Sequence, residues 1–151
     1  MSWQAQLWLL SKVALALLLG GIIGYEREIA EKPAGFRTHM LVAGASALLV
    51  GMTDALLAHI NTQTGVTLSA DPIRIVESVI TGISFLGAGT ILRRREAGTV
   101  KGLTTAAGLL FSSAIGMVTA LQQFALAIGG TLLAVFVLRG MAIFVGKLGI
   151  D

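Results

Sequence analysis

Cysteine is absent from the 151 residues. That excludes disulfides, thiolate metal sites and a cysteine nucleophile, though it does not fix the compartment. Charge is scarce as well. Asp, Glu, Lys and Arg make up 13% of the chain, where a soluble domain carries about 25%. No Ser/His/Asp arrangement, Walker loop or HExxH motif occurs, so the sequence does not read as an enzyme's. No basic segment precedes the first apolar stretch, where Trp3 and Trp8 stand instead, and no small-residue cleavage site follows it before Tyr25. The stretch therefore reads as a retained transmembrane helix rather than a signal peptide.

What the chain has in quantity is apolar residues, 55% of the total, with a mean hydropathy of +0.85. Lipid is then the solvent for most of its surface. A bilayer core of about 30 Å takes roughly 20 apolar residues of helix. Five segments meet that length: 7–25, 38–58, 75–92, 103–121 and 124–146. The expected fold is an all-α, multi-pass bundle of five transmembrane helices, with residues 1–151 forming one domain. Lys and Arg set its direction. Arg27, Lys32 and Arg37 lie between the first two spans; Arg93, Arg94, Arg95 and Lys101 lie between the third and fourth. Arg139 and Lys147 lie toward the end of the fifth, and only Lys12 and Arg74 lie on the other side. The basic side is expected to be cytoplasmic, which puts the N-terminus outside and the C-terminus inside. The net charge of +3 thus belongs to membrane-facing loops, with anionic headgroups as their contacts, and not to nucleic acid.

Displaced by 67 residues, LGGIIGYEREIAEKPAGFRT (19–38) falls on LGAGTILRRREAGTVKGLTT (86–105) without a gap. Leu19/Leu86, Gly20/Gly87, Arg27/Arg94, Ala30/Ala97, Gly35/Gly102 and Thr38/Thr105 are identical. An even number of spans separates the two stretches, so they would form a parallel repeat of helices one–two and three–four. The alternative is chance matching between Gly/Leu/Ala-rich runs. Gly20 and Gly24 form a GxxxG pair, and Gly82, Gly87 and Gly89 line span three. Small residues of this kind let helices approach closely in lipid, where apolar burial drives little association.

The stretches GGIIGYERE (20–28), AGFRTHMLVAGAS (34–46), RIVESVITGISFLGAGTI (74–91) and VKGLTTAAGLLFSSAIGM (100–117) resemble the MgtC/SapB family of bacterial inner-membrane proteins. They cover most of the first four spans. Two departures stand out. Ser78 stands where family members often have Gln, and Leu109, Leu110 and Phe111 occupy a stretch where a Trp is frequent. Many members also carry a soluble ACT-like domain after the membrane part, and the sequence stops at Asp151 without one. The resemblance implies a multi-pass inner-membrane protein tied to magnesium limitation, acid tolerance or survival in a host. It further implies action by modulating other membrane proteins, the ATP synthase among them. The alternative is a magnesium or proton transporter or channel subunit. No cofactor is expected; membrane lipids and a second copy of the chain, as a homodimer, are.

Charges inside apolar spans need partners. Lys12, Asp54, Arg74 and Glu77 share one depth in the outer half of the spans and read either as ion-paired and snorkelling side chains or as a proton or cation site. Glu26, Arg27 and Glu28 close span one and read either as a solvated, helix-ending charge cluster or with Glu26 paired to Arg37 across the short loop. His39 reads as a hydrogen-bonded residue at a helix start rather than a ligand, and the sequence names no metal. Spans two and four begin on the cytoplasmic side, with Thr38 and Thr104 or Thr105 placed to cap them. Gly35 and Gly102 would turn the entering backbone. With Arg37, His39 and Lys101 beside these helix ends, GFRTH (35–39) and GLTT (102–105) form a candidate site for an anionic headgroup, a phosphate compound or an acidic partner. Ordinary capping is the competing reading.

Overall fold

A computed structural model describes residues 2–64, 71–92, 95–96 and 99–140. Arg93, Arg94, Lys147 and the last part of the expected fifth span lie outside the described residues. The described chain is helical apart from its connections. It comprises α1 (Trp3–Ile29), α2 (Phe36–Gly51), α3 (Thr53–Thr64), α4 (Pro72–Leu92), α5 (Leu103–Ala120) and α6 (Phe124–Val135), with a π-helical turn over Phe136–Gly140. Two-residue strands β1 (Arg95–Glu96) and β2 (Thr99–Val100) pair antiparallel in the α4–α5 connection.

The chain is a membrane-embedded, all-α protein. Four spans, Trp3–Ile29, Phe36–Asn61, Ile73–Ile91 and Leu103–Ala120, are long and apolar enough to cross a bilayer, and a shorter apolar helix covers Phe124–Gly140. The second span stays hydrogen-bonded through Met52, where α2 passes into α3. Met52 N–H still reaches the Leu48 carbonyl at 2.9 Å and Leu56 N–H the Met52 carbonyl at 3.0 Å. The Thr53 hydroxyl donates to the Leu49 carbonyl at 3.2 Å, and such back-bonding bends helices.

Several ends are set by local chemistry. Ser2 caps α1, its Oγ accepting from Ala5 N–H at 3.3 Å. Asp71 Oδ1 accepts from Ile73 N–H at 3.0 Å at the start of α4, with Pro72 at the first helical position, where its missing N–H costs nothing. α1 and α5 both end in a Schellman turn. Lys32 N–H returns to the Arg27 carbonyl and Gln123 N–H to the Val118 carbonyl, with Glu31 (φ 53°) and Gln122 (φ 62°) in the left-handed region. Gln122 and Gln123 thus make a true turn between spans four and five.

α5 is the centre of the bundle and meets α1, α2, α4 and α6. α1 and α2 pack closely where Gly20 faces the His39 carbonyl and Ala43, and Gly24 faces Phe36. A Cβ on Gly20 would stand 2.5 Å from that carbonyl oxygen. α4 meets α5 where Gly87 faces Ala106, so Gly87 and Ala106 each lie 67 positions beyond Gly20 and His39. Three small apolar clusters form the core. Ala16, Ala43, Ala47 and Ala120 make one; Leu19, Ile23, Ile115 and Ala127 a second; Ala34, Val42 and Leu109 a third.

Candidate buried polar site

The end of α1 turns back on the start of α2 so tightly that three ionisable side chains leave solvent. Arg27 is 4% exposed and His39 fully buried, and Glu26 keeps 11% of its side chain accessible. Arg27 Nε stands 3.0 Å from Glu26 Oε2 in an ion pair. These are chain neighbours, and their angle does not make a hydrogen bond, so both atoms keep unused hydrogen-bonding capacity. The expected partner of Glu26, Arg37, is exposed instead. The correction has a geometric cause: Arg37 is the second residue of α2 and points outward there, while Arg27 lies on the face of α1 that packs inward.

The capping expectation is also corrected. The N-cap residues are Gly35 and Gly102, neither of which offers a side chain, while Thr38, Thr104 and Thr105 lie inside the first turns. Gly102 adopts φ 100°, a conformation that favours glycine. At α2 the orphan Phe36 N–H is met from another helix: Glu28 Oε2 accepts it at 2.9 Å. A carboxylate from the chain itself therefore sits at the helix end that the sequence offered to an external anion. Thr105 is buried, while Thr104 and Lys101 are exposed.

His39 is held by its own helix start. Nδ1 stands 3.0 Å from the Gly35 carbonyl oxygen, which can only accept, so Nδ1 carries the hydrogen of the neutral ring. Nε2 is then a bare acceptor, and it has no hydrogen-bond partner. It faces Gly108 on α5, where a Cβ would stand 3.2 Å away. One helical turn further along α5, the buried Ser112 hydroxyl also lacks a partner. That is unusual in this bundle. Ser46, Thr119 and Thr131 each donate to the carbonyl four residues back, at 2.8, 2.6 and 2.8 Å. Ser46 and Ser113, 67 positions apart, also share a hydrogen bond of 2.8 Å between α2 and α5. These hydroxyls were not singled out in the sequence; their recurrence at the 67-residue offset was the available signal.

The outer polar set does not assemble among the described residues. Lys12 Nζ donates to the Ala120 carbonyl at 3.0 Å and so closes the C-terminal end of α5, a favourable place for a cation. Arg74 and Glu77 are exposed, and their carbonyls accept from Ser78 and Thr81. The Asp54 side chain lies outside the described set. No group of three His, Cys, Asp or Glu able to hold a metal occurs among the described residues. Of the packing glycines, Gly20, Gly24 and Gly87 have close neighbours, while Gly82 and Gly89 have nothing within 4 Å among the described residues.

Comparison with known proteins adds identity to this geometry. The family model described as MgtC family matches residues 13–146. YhiD of Escherichia coli K12, whose name proposes magnesium transport, is 39% identical over 128 residues, covering 85% of this chain and 58% of YhiD. Protein MgtC of Salmonella typhimurium is 40% identical over 119 residues, 78% of this chain and 46% of MgtC. Protein SapB of Bacillus subtilis is 30% identical over all 151 residues and 64% of its own length. The chain therefore spans about half to two thirds of these curated relatives. No solved structure matches it.

Proposed function

The chain belongs to the MgtC family, and from that membership we propose a bacterial inner-membrane protein that serves magnesium homeostasis without catalysis, by pairing laterally with other membrane proteins. The observation that carries this reading is α4. Only 11% of its membrane-length stretch is buried, against 56% for α5. Phe85 is 80% exposed, and Gly82 and Gly89 lie open beside it. A face with a bulky apolar residue between glycines suits a close-packed neighbouring helix. A transmembrane helix of another membrane complex is the proposed occupant, with the ATP synthase as the family's candidate. A homodimer on the same face is the outcome that cross-linking would reveal instead.

The arrangement proposed in the membrane has the N-terminus outside and the α1–α2 and α4–α5 connections in the cytoplasm. The basic loops support it. So does a parallel repeat of α1–α2 and α4–α5, a reading supported by Gly20/His39 and Gly87/Ala106 meeting at one offset. Because the chain lacks cysteine, single-cysteine labelling tests the topology cleanly: Thr99→Cys should react from the cytoplasm and Thr64→Cys from outside.

A transporter is the second reading, favoured by the name of YhiD. Purified protein in liposomes separates the two. The modulator reading expects no saturable magnesium or proton flux. A flux abolished by Asp54→Asn with Glu77→Gln would replace it with the transporter.

A further inference from the structure

Four buried side-chain atoms lack a hydrogen bond among the described residues: Glu26 Oε2, Arg27 Nε, His39 Nε2 and Ser112 Oγ. Glu26 and Arg27 lie on α1, His39 on α2 and Ser112 on α5, one helical turn beyond the Gly108 that faces Nε2, and Glu26 and Arg27 are near enough to act electrostatically on the His39 ring. Buried polar groups are almost always paired with protein or ordered water, so a cluster left open marks a site that holds something. The chemistry of the four narrows it. Arg27 Nε–H donates, Glu26 Oε2 and His39 Nε2 accept, and the Ser112 hydroxyl does either. No thiolate is present, and only one carboxylate, so a metal ion would find too few ligands. Gly108 lets Nε2 approach α5 closely: a Cβ there would stand 3.2 Å from the ring nitrogen, tighter than an ordinary contact.

The geometry points to a buried proton-binding site at His39, loaded through a water held between Nε2 and the Ser112 hydroxyl. A hydronium arriving past the partly accessible Glu26 gives its proton to the Nε2 lone pair. The new N–H bond forms as the hydronium O–H breaks, and the water left behind accepts from Nε2–H. Nδ1–H keeps its bond to the Gly35 carbonyl throughout, so the ring need not turn. The charges facing the ring are few. α1 contributes Glu26 and Arg27, which balance one another. Glu28, from the same helix, is occupied by Phe36 N–H. α5 has no charged residue from Leu103 to Ala120, and α4 carries only Arg74 and Glu77, exposed in its first two turns. A proton on His39 therefore adds one net positive charge at the junction where α1, α2 and α5 meet.

His39 and His59 are the two histidines, so His59→Gln leaves one imidazole to observe. The test is nitrogen-15 NMR of histidine-labelled protein in lipid nanodiscs, acidified from about pH 8 to about pH 5, the range around the ordinary imidazole transition. The neutral ring should carry its hydrogen on Nδ1. Acidification should add one proton to Nε2 reversibly while the fold is retained, with a water cross-peak to the new N–H. Gly108→Ala, whose Cβ crowds Nε2, should abolish the uptake. Ser112→Ala should abolish the water cross-peak. A neutral ring protonated at Nε2, or an Nε2 that stays bare until the protein unfolds, would overturn the proposal in the unaltered seam, whatever the variants do. Uptake that survives Gly108→Ala, or a cross-peak that survives Ser112→Ala, would overturn the water-mediated site.

Discussion

α4 and α5 leave the same short connection, are both apolar enough to cross a membrane, and end in opposite surroundings. α5 packs against four helices; α4 leans on α5 and turns most of itself outward. Hydropathy does not separate them, because lipid solvates a leucine as well as a protein core does. What separates them is the spacing of small and hydroxylated residues. Thr105, Gly108, Ser112, Gly116 and Thr119 fall on one face of α5, and all are buried. On α4 the glycines fall on two faces: Gly87 meets Ala106, while Gly82 and Gly89, two turns apart on another face, have nothing within 4 Å among the described residues. In this protein, close helix contact follows small-residue register, and apolar surface is left for the bilayer or a partner.

The comparison breaks most readily at Gly116. A Cβ there would overlap the Ala43 carbonyl oxygen, which is backbone and cannot swing away. Gly116→Leu should cost about 3 kcal/mol or more and should prevent recovery of folded protein. Gly82→Leu, on the open face of α4, should leave the fold intact and change only lateral association. Equal effects in a denaturant-in-micelle titration would erase the distinction between the two helices.

A comparable loss is expected at the buried ion pair. Arg27→Met strands the Glu26 carboxylate and should destabilise by about 3 kcal/mol, while Arg74→Met on the exposed start of α4 should stay within about 0.5 kcal/mol. A smaller effect belongs to Lys12→Met. It removes the cation from the Ala120 carbonyl and should cost about 1 kcal/mol. The smallest change should be a gain. Gln122 holds the left-handed position of the turn after α5, so Gln122→Gly should stabilise by up to about 1 kcal/mol. Loss of stability there would mean that the Gln122 side chain contributes more than its backbone strain costs.

Much of the scaffold was legible in the chain. Apolar runs located the first four spans and the start of the fifth to within a few residues, and Gln122–Gln123 marked the turn between the last two. The errors lie where one helix finishes another. Thr38 was the obvious cap for α2, but Glu28 reaches across from α1, and a one-dimensional capping rule cannot see a partner eight residues upstream on a different helix. Glu26 was paired with Arg37 because the loop is short. The tight return puts Arg27 inside and Arg37 outside, and only the three-dimensional turn decides between them. Lys12 read as a member of an outer charge set; its partner is a backbone carbonyl 108 residues away. His39 was read correctly as a hydrogen-bonded residue at a helix start. Its burial against Gly108, and the neighbouring Ser112, depend on how α2 and α5 meet, which no local pattern encodes.

The proposal that α4 is the surface through which the protein acts on other membrane complexes is tested most directly by site-specific photo-cross-linking in native membranes. A photoreactive residue at Phe85 of α4 is compared with one at the exposed Leu18 of α1. The account predicts strong, discrete adducts with other membrane proteins from position 85 and weak, diffuse labelling from position 18. Equal labelling from the two positions, or adducts from position 85 that contain only a second copy of this chain, would contradict it.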